Sequence, residues 1–101
     1  VNGPRSTVVA GDPEALDALR AHCAERDVRA RVVPAAYASH SAAVEVLRDR
    51  MLEELAPVSP LAGSGTAFYS TVTGGRLDTS ELDAGYWFRN LREPVRFEPV
   101  I

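Results

Sequence analysis

A strand–helix–strand pattern between residues 5 and 35 is the strongest constraint on how this chain folds. Residues 5–11 (RSTVVAG) combine β-branched side chains with a terminal glycine, which predicts a short buried strand. Asp12 and Pro13 then supply an N-cap and a first-turn proline, and they predict a helix of about 13 residues. Residues 28–35 (VRARVVPA) alternate apolar residues with arginine and predict a second strand. Elements in this order form a β-α-β unit.

Further elements follow this unit along the chain. Apolar residues from Val44 to Leu55 recur at helical spacing, so we predict a second helix there, ended by Pro57. The remaining segments are a linker (59–65), a strand (66–75), a short strand within GGRL (74–77) and a capped helix (78–94). The order β-α-β-α-β-β predicts the α+β class, as a ferredoxin-like sandwich with two helices on one face of an antiparallel sheet. That fold hosts many unrelated functions.

Length and charge narrow the class of protein. The 101 residues fit one domain, and 46% of them are apolar, as in ordinary globular chains. A net charge of −3 without a basic block argues against nucleic acid or an anionic membrane as a partner. No run approaches the roughly 20 apolar residues that span a bilayer, and no signal peptide is present. We therefore expect a cytoplasmic protein.

Several residues with reactive or aromatic side chains are better interpreted as packing residues than as functional ones. Cys23 is the single cysteine, so an internal disulfide is impossible, and its place on the apolar face of the first helix predicts a buried bystander. With two scattered histidines it offers no metal-ligand spacing, so we expect no bound metal. We interpret His22 as a packing or partly exposed residue. The aromatic group at 86–88 is interpreted as core or docking surface rather than a binding platform.

His40 is different, because it lies between Ser39 and Ser41 at the predicted start of the second helix. The positive end of a helix disfavours imidazolium, and a neutral imidazole is what a general base needs at neutral pH. Tyr37 adds an aromatic wall with a hydroxyl, beside small residues that leave room for a substrate. The alternative is that His40 caps the helix or packs on the sheet. The local sequence leaves both interpretations open.

A nucleophile for His40 is not evident in the chain. Neither Ser39 nor Ser41 is a convincing partner, since neighbouring side chains diverge on a helix. The chain has no G-x-S-x-G nucleophile elbow. If His40 is a base, its nucleophile comes from elsewhere.

Four segments carry a family resemblance: VNGPRSTVVAGDPEALDAL, RARVVPAAYASHS, FYSTVTGG and LDAGYWFRNLREPVRF. Together they closely resemble the acyltransferase domain of modular type I polyketide synthases, over essentially the whole chain. The resemblance implies a large α/β-hydrolase-like part with a small ferredoxin-like part inserted in it. This chain resembles the small part (approximately 5–94), with short stubs of the large subdomain at 1–4 and 95–101.

The resemblance also implies a site. The family uses a Ser–His dyad, and its histidine, in the Y-A-S-H motif, maps onto His40. The serine lies in a G-H-S-x-G elbow on the large subdomain. The implied partners are that large subdomain, methylmalonyl-coenzyme A and an acyl carrier protein with its phosphopantetheine arm, and this piece itself is expected to bind no cofactor.

Extender-unit choice is a further implication of the same motif. Y-A-S-H goes with methylmalonyl units in the family and H-A-F-H with malonyl units, so Tyr37 and Ser39 resemble the methylmalonyl type. Ser39 leaves space where phenylalanine would intrude on an α-methyl group. One methyl group in a pocket is worth only about 1–3 kcal/mol, so these residues bias the choice. The chain departs from many relatives at Ala36, which replaces an acid and bears on pocket geometry, not on His40.

Two other classes of function compete with this interpretation. One is a non-catalytic ferredoxin-like module that docks a carrier protein or a neighbouring domain. The other is a small regulatory domain of the amino-acid-sensing kind. The apolar ends VNGP and VRFEPVI suit a piece excised from a larger body better than a closed module.

Overall fold

The computed structural model describes residues 1–63 and 65–101 of the chain. Its helices are α1 (Pro13–Glu25), α2 (Arg48–Leu55) and α3 (Ala84–Arg92), and its strands are β1 (Phe68–Ser70) and β2 (Gly75–Leu77). Short 3-10 helices occupy Ala42–Leu47, Thr79–Glu81 and Glu98–Val100. Ser64, in the predicted linker 59–65, lies outside the described residues. The chain is thus a mixture of helices and strands.

Helix α1 has the predicted position and length. Asp12 is the N-cap with an extended backbone, Pro13 opens the helix, and the helix runs for 13 residues. None of its residues is buried: Leu19 is 41% exposed, and Cys23, expected to be buried, is half-buried. The apolar face of α1 therefore lacks the sheet that the sequence pattern predicted beneath it.

The strands predicted at 5–11 and 28–35 are absent from the described chain. Neither segment forms a ladder, and the isolated bridge between Gly3 and Ser6 is the nearest approach to one. The valines at positions 8, 9, 32 and 33 are exposed. The prediction was wrong because β-propensity describes how side chains fit a sheet, whereas a strand also needs a neighbour for its backbone groups. The ferredoxin-like sandwich is accordingly not confirmed.

Both strands predicted near residue 70 are present in shortened form. β1 and β2 form an antiparallel hairpin in which Phe68 lies opposite Leu77 and Ser70 lies opposite Gly75. Gly74 turns the chain with a φ of +80°, a conformation that glycine adopts readily. A Cβ atom there would also lie 3.3 Å from a side-chain carbon of Arg96. The hairpin is shorter than the predicted strand over 66–75.

The core lies between residues 44 and 88, where Val44, Val72 and Phe88 are buried with Tyr86. The Tyr86 hydroxyl lies 2.8 Å from the hydroxyl of Ser70, which is 1% exposed. The Ser70 oxygen also accepts from the Val72 N–H at 3.1 Å. A buried polar pair is stable only when its groups are hydrogen-bonded, as these are. The interpretation of 86–88 as core is therefore confirmed for Tyr86 and Phe88.

The second predicted helix has two parts. Residues Ala42–Leu47 wind as a 3-10 helix, and α2 continues directly from Arg48 to Leu55, before Pro57. The β-branched residues of the first part are weaker α-helix formers, which fits the change in winding. Both parts pack against α3. α3 is capped by Asp83, whose carboxylate accepts from the Tyr86 N–H at 2.9 Å.

The C-terminal segment packs on the rest of the chain, whereas the N-terminal segment does not contribute to the core. The C-terminal segment, expected to be a stub, packs on the hairpin: the Arg96 N–H donates to the Thr71 carbonyl at 2.8 Å and its guanidinium to Thr73 at 3.3 Å. Residues 1–36 include no buried residue.

The chain is extended for its length. The radius of gyration is 16.6 Å, against about 13 Å for a compact chain of this length. No helix in residues 1–63 and 65–101 is long and apolar enough to cross a membrane.

Replacing Ser70 with alanine should destabilise the protein by about 1–3 kcal/mol, because the buried Tyr86 hydroxyl would lose its partner. Urea titrations of the free energy of unfolding measure this cost. Replacing the exposed Ser59 with alanine is the matched control and should change the free energy of unfolding by less than about 0.5 kcal/mol. An equal loss for the two variants would contradict a structural role for the Ser70–Tyr86 pair.

Candidate active site

His40 is fastened at two points to the C-terminal end of α3. Its backbone N–H donates to the carbonyl of Leu91 at 2.8 Å. Its ring nitrogen Nδ1 lies 2.8 Å from the carbonyl oxygen of Glu93. The side chain is otherwise exposed. A residue 53 positions away in sequence thus sets where the imidazole lies.

The sequence after α3 explains why these carbonyls are available. The last carbonyls of a helix have no intrahelical donor, and Pro94 has no N–H to supply one. A residue before proline is held away from helical geometry, and Glu93 accordingly has φ −80° and ψ 158°. The helix therefore ends with the Glu93 carbonyl turned out of the helical ladder, where the ring of His40 meets it.

This contact determines the tautomer of His40. A carbonyl oxygen only accepts hydrogen bonds, so Nδ1 must carry the proton that it donates to Glu93. A neutral imidazole has one N–H, so Nε2 retains its lone pair. An exposed imidazole with a fixed orientation and a basic Nε2 has the form that proton abstraction requires.

The backbone of His40 is strained. Its φ is +60°, a region that residues other than glycine occupy at a cost of about 1–3 kcal/mol. Ser41 stabilises the turn, because its hydroxyl donates to the Ala38 carbonyl at 2.7 Å and accepts from the Ala43 N–H at 3.2 Å. Ser41 is thus the N-cap of the 3-10 helix. His40 therefore occupies the residue before the cap, as the sequence predicted to within one position.

Charged side chains connect the same two segments. The Arg92 Nε donates to Glu45 Oε1 at 2.7 Å, which joins the last residue of α3 to the 3-10 helix that follows His40. Arg89 contacts both carboxylate oxygens of Glu93, at 3.1 and 3.2 Å. These hydrogen bonds, and then the attraction between the two charges, raise the pKa of the Arg89 guanidinium above its ordinary value. Glu93 is thereby restrained by both its side chain and its carbonyl.

An apolar groove of about 410 Å³ adjoins the point where His40 is anchored. Tyr37 is 71% exposed at this groove, whereas Ser39 is half-buried and does not line it. Leu91 both lines the groove and accepts the His40 N–H, so the groove and the imidazole share one wall. The full lining is Tyr37, Ala38, Ala43, Val44, Val46, Leu47 and Leu91. The groove is shallow, open to solvent and mostly apolar.

None of the other candidate residues is joined to the His40 ring by a described hydrogen bond. His22 and Cys23 are on α1, and the Ser41 hydroxyl is engaged with the Ala38 carbonyl. In the part of the chain that the structure describes, no group of three His, Cys, Asp or Glu side chains is placed to hold a metal. Among the described hydrogen bonds, none joins a serine or cysteine side chain to the His40 ring.

The sequence interpretation missed the role of the α3 end. Leu91 and Glu93 act through backbone carbonyls, which carry no residue-type signature. Pro94 is the signal that could have revealed them, because a proline after a helix leaves carbonyls without donors. The contact between Glu45 and Arg92 was likewise not predicted from the sequence.

Comparison with known proteins defines the family. The acyl transferase domain family matches residues 1–101, and the chain belongs to this family. It is 57% identical over 98 residues to polyketide synthase GfsE of Streptomyces halstedii, covering 97% of this chain and 3% of that protein. It is 52% identical over 99 residues to erythronolide synthase EryA3 of Saccharopolyspora erythraea, covering 97% of this chain and 3% of that protein. The chain thus spans a small part of these relatives.

Solved structures of polyketide synthase acyltransferases are also similar to this chain. The acyltransferase domain from module 8 of the salinomycin polyketide synthase aligns with a TM-score of 0.95 and 50% identity, over 99% of this chain and 23% of that one. The loading acyltransferase of the avermectin modular polyketide synthase aligns with a TM-score of 0.91 and 47% identity, over 99% of this chain and 31% of that one. The resemblance to polyketide synthase acyltransferases stated from the sequence is therefore confirmed.

The tautomer of His40 is directly testable. At about pH 9, where an imidazole is neutral, two-bond ¹H–¹⁵N spectra should show a proton on Nδ1 of His40 and a bare Nε2. The exposed His22 of α1 provides an internal reference in the same spectrum. A His40 signal with the proton on Nε2 would contradict the Glu93 contact.

Proposed function

We propose that this chain supplies the histidine base of a polyketide synthase acyltransferase. The complete enzyme would transfer a methylmalonyl extender unit from coenzyme A to a serine, and from there to an acyl carrier protein. The observation that carries the proposal is the Nδ1 contact of His40 with the Glu93 carbonyl, which leaves Nε2 as the proton acceptor. Membership of the acyl transferase domain family supports the reaction class.

The first half-reaction loads the serine. Nε2 of His40 accepts the proton of the serine hydroxyl while the serine oxygen attacks the thioester carbonyl of the acyl-coenzyme A. The tetrahedral intermediate then collapses, and the departing thiolate of coenzyme A takes the proton from Nε2. The Glu93 carbonyl holds the ring throughout and accepts from Nδ1–H of the transient imidazolium. We place the serine in the large acyltransferase subdomain.

The second half-reaction reverses these roles. Nε2 accepts the proton of the phosphopantetheine thiol of the acyl carrier protein, and the sulfur attacks the acyl-serine ester. The serine oxygen leaves and recovers the proton from Nε2, so the site returns to its starting state. Phosphopantetheine belongs to the carrier protein, and we propose no cofactor on this piece. A cytoplasmic location belongs to the same proposal, because coenzyme A thioesters are metabolites of that compartment.

Extender-unit selection is assigned to Tyr37 and Ser39. The exposed Tyr37 lies on the apolar groove that adjoins His40, which supports a contact with the substrate's acyl group. Ser39 is half-buried and does not line the groove, so its role in leaving space for an α-methyl group rests on the family resemblance of the Y-A-S-H motif. The expected discrimination is modest, since one methyl group is worth about 1–3 kcal/mol.

A ferredoxin-like subdomain remains part of the proposal. The exposed valines of 5–11 and 28–35 would be buried if each segment paired with a strand elsewhere in the complete protein. We propose that the chain corresponds to that subdomain over approximately 5–94, with stubs of the large subdomain at 1–4 and 95–101. The unburied apolar face of α1 is consistent with a missing sheet.

Replacing His40 with alanine in the complete acyltransferase domain should slow acyl-serine formation by about 10²–10⁴-fold, because the proton acceptor is lost. Rapid-quench measurement of acyl-enzyme gives the rate. Replacing His22 with alanine is the matched control and should leave the rate unchanged. The isolated 101-residue chain should have no transacylase activity in the same assay. A near-normal rate for the His40 variant would favour the non-catalytic docking module instead.

Exchanging Tyr37 for histidine and Ser39 for phenylalanine together should raise malonyl use relative to methylmalonyl by about 10-fold or more, because phenylalanine fills the space of the α-methyl group. Competition between the two coenzyme A esters measures the ratio. Replacing Val46, an 86% exposed residue of the same groove, with alanine is the control for general disturbance of the groove. An unchanged ratio in the double variant rejects the selectivity assignment.

A further inference from the structure

The ion pair between Arg92 and Glu45 joins the same two chain segments as the His40 hydrogen bonds. Arg92 lies between Leu91 and Glu93, the two residues whose carbonyls hold His40. Glu45 lies in the 3-10 helix that begins immediately after the turn carrying His40. The donor and acceptor of the ion pair are 47 positions apart in sequence. Three contacts therefore span one interface.

This pair differs from the other ion pairs among the described residues. Those at Arg20–Asp17, Arg48–Asp49, Arg50–Glu54 and Arg89–Glu93 join residues at most four positions apart. Arg92–Glu45 connects separate elements through a short, charge-assisted contact of 2.7 Å. Its side chains are 32% and 51% exposed, so it is screened by water and contributes little to global stability. The pair therefore matters for the relative position of the two segments and not for the free energy of unfolding.

The ion pair adds a directional restraint to the strained turn at His40, which the hydrogen bonds of His40 and Ser41 already hold. Packing of Val44 holds the 3-10 helix near α3, but apolar contact is not directional and allows sliding. A slide along α3 would separate Nδ1 from the Glu93 carbonyl and release φ of His40 from +60°. The Arg92–Glu45 contact opposes that displacement, because it ties the 3-10 helix after His40 to the last residue of α3.

We propose that Arg92 and Glu45 are positioning residues that hold His40 in its Nδ1–H tautomer. The inference rests on the proposed function of His40 as a base. Neither residue touches substrate in this assignment. They act through the backbone by keeping the 3-10 helix in register with the end of α3, so that Nε2 keeps one direction.

The test compares three variants in the complete acyltransferase domain: Glu45→Gln, Arg92→Ala, and the charge swap Glu45→Arg with Arg92→Glu. Acyl-serine formation at saturating acyl-coenzyme A should fall about 2–5-fold in each single variant, because a half-exposed ion pair can bias the orientation of His40 by no more than its own modest interaction energy. KM should be nearly unchanged, because positioning affects the reacting geometry and not substrate binding. The charge swap should recover a large part of the rate. Arg50→Ala, which breaks an ion pair within α2, is the matched control and should retain the original rate.

The ¹⁵N signature of His40 separates positioning from mere destabilisation. Both single variants should show a mixture of Nδ1–H and Nε2–H tautomers, and the charge swap should restore Nδ1–H. If Arg92→Ala does not fold, Glu45→Gln and the charge swap still decide the matter. Wild-type rates with an unchanged tautomer in Glu45→Gln would overturn the inference, as would an equal loss of rate in Arg50→Ala.

The two proposals fail differently. If His40→Ala is slow while the Arg92 and Glu45 variants are normal, His40 remains the base and the positioning role is rejected. If His40→Ala is itself normal, the proposed function fails, and the tautomer spectra alone still report whether the ion pair orients the ring.

Discussion

The hydrogen bond from Nδ1 of His40 to the Glu93 carbonyl is the contact on which the candidate site depends. It fixes the ring's direction, and because a carbonyl cannot donate, it also fixes which nitrogen is basic. The geometry that permits it starts with Pro94, which ends α3 and keeps Glu93 non-helical. The tautomer of His40 thus depends on the residue at which α3 ends.

The rest of the core serves to place that helix end. α3 is held by the buried hydroxyl pair of Ser70 and Tyr86 and by its Asp83 cap, and the 3-10 helix after His40 packs on it through Val44. These contacts lie within residues 41 to 96, whereas the first 36 residues contribute no buried side chain. The segment that carries His40 is therefore supported by the C-terminal part of the chain.

Sequence reasoning succeeded where the determinants are local. Asp12 and Pro13 marked the start of α1, although the Asp12 side chain makes no capping hydrogen bond, and the two strands of the hairpin were predicted near their observed positions. It failed at 5–11 and 28–35, because a strand requires a partner that local composition does not describe. His40 could be singled out by its neighbours, but its orientation could not, since its acceptors are backbone atoms of residues more than 50 positions away. The family resemblance supplied the function class that spacing alone left open.

Because both anchors of the imidazole are main-chain oxygens, side-chain replacement at Leu91 or Glu93 leaves the acceptors themselves in place. A carboxylate partner for the ring would disappear on substitution, whereas these carbonyls persist. A change of the Leu91 side chain can therefore reshape the groove while its carbonyl still accepts from the His40 N–H. The backbone position of His40 and the shape of the groove thus depend on different atoms of one residue.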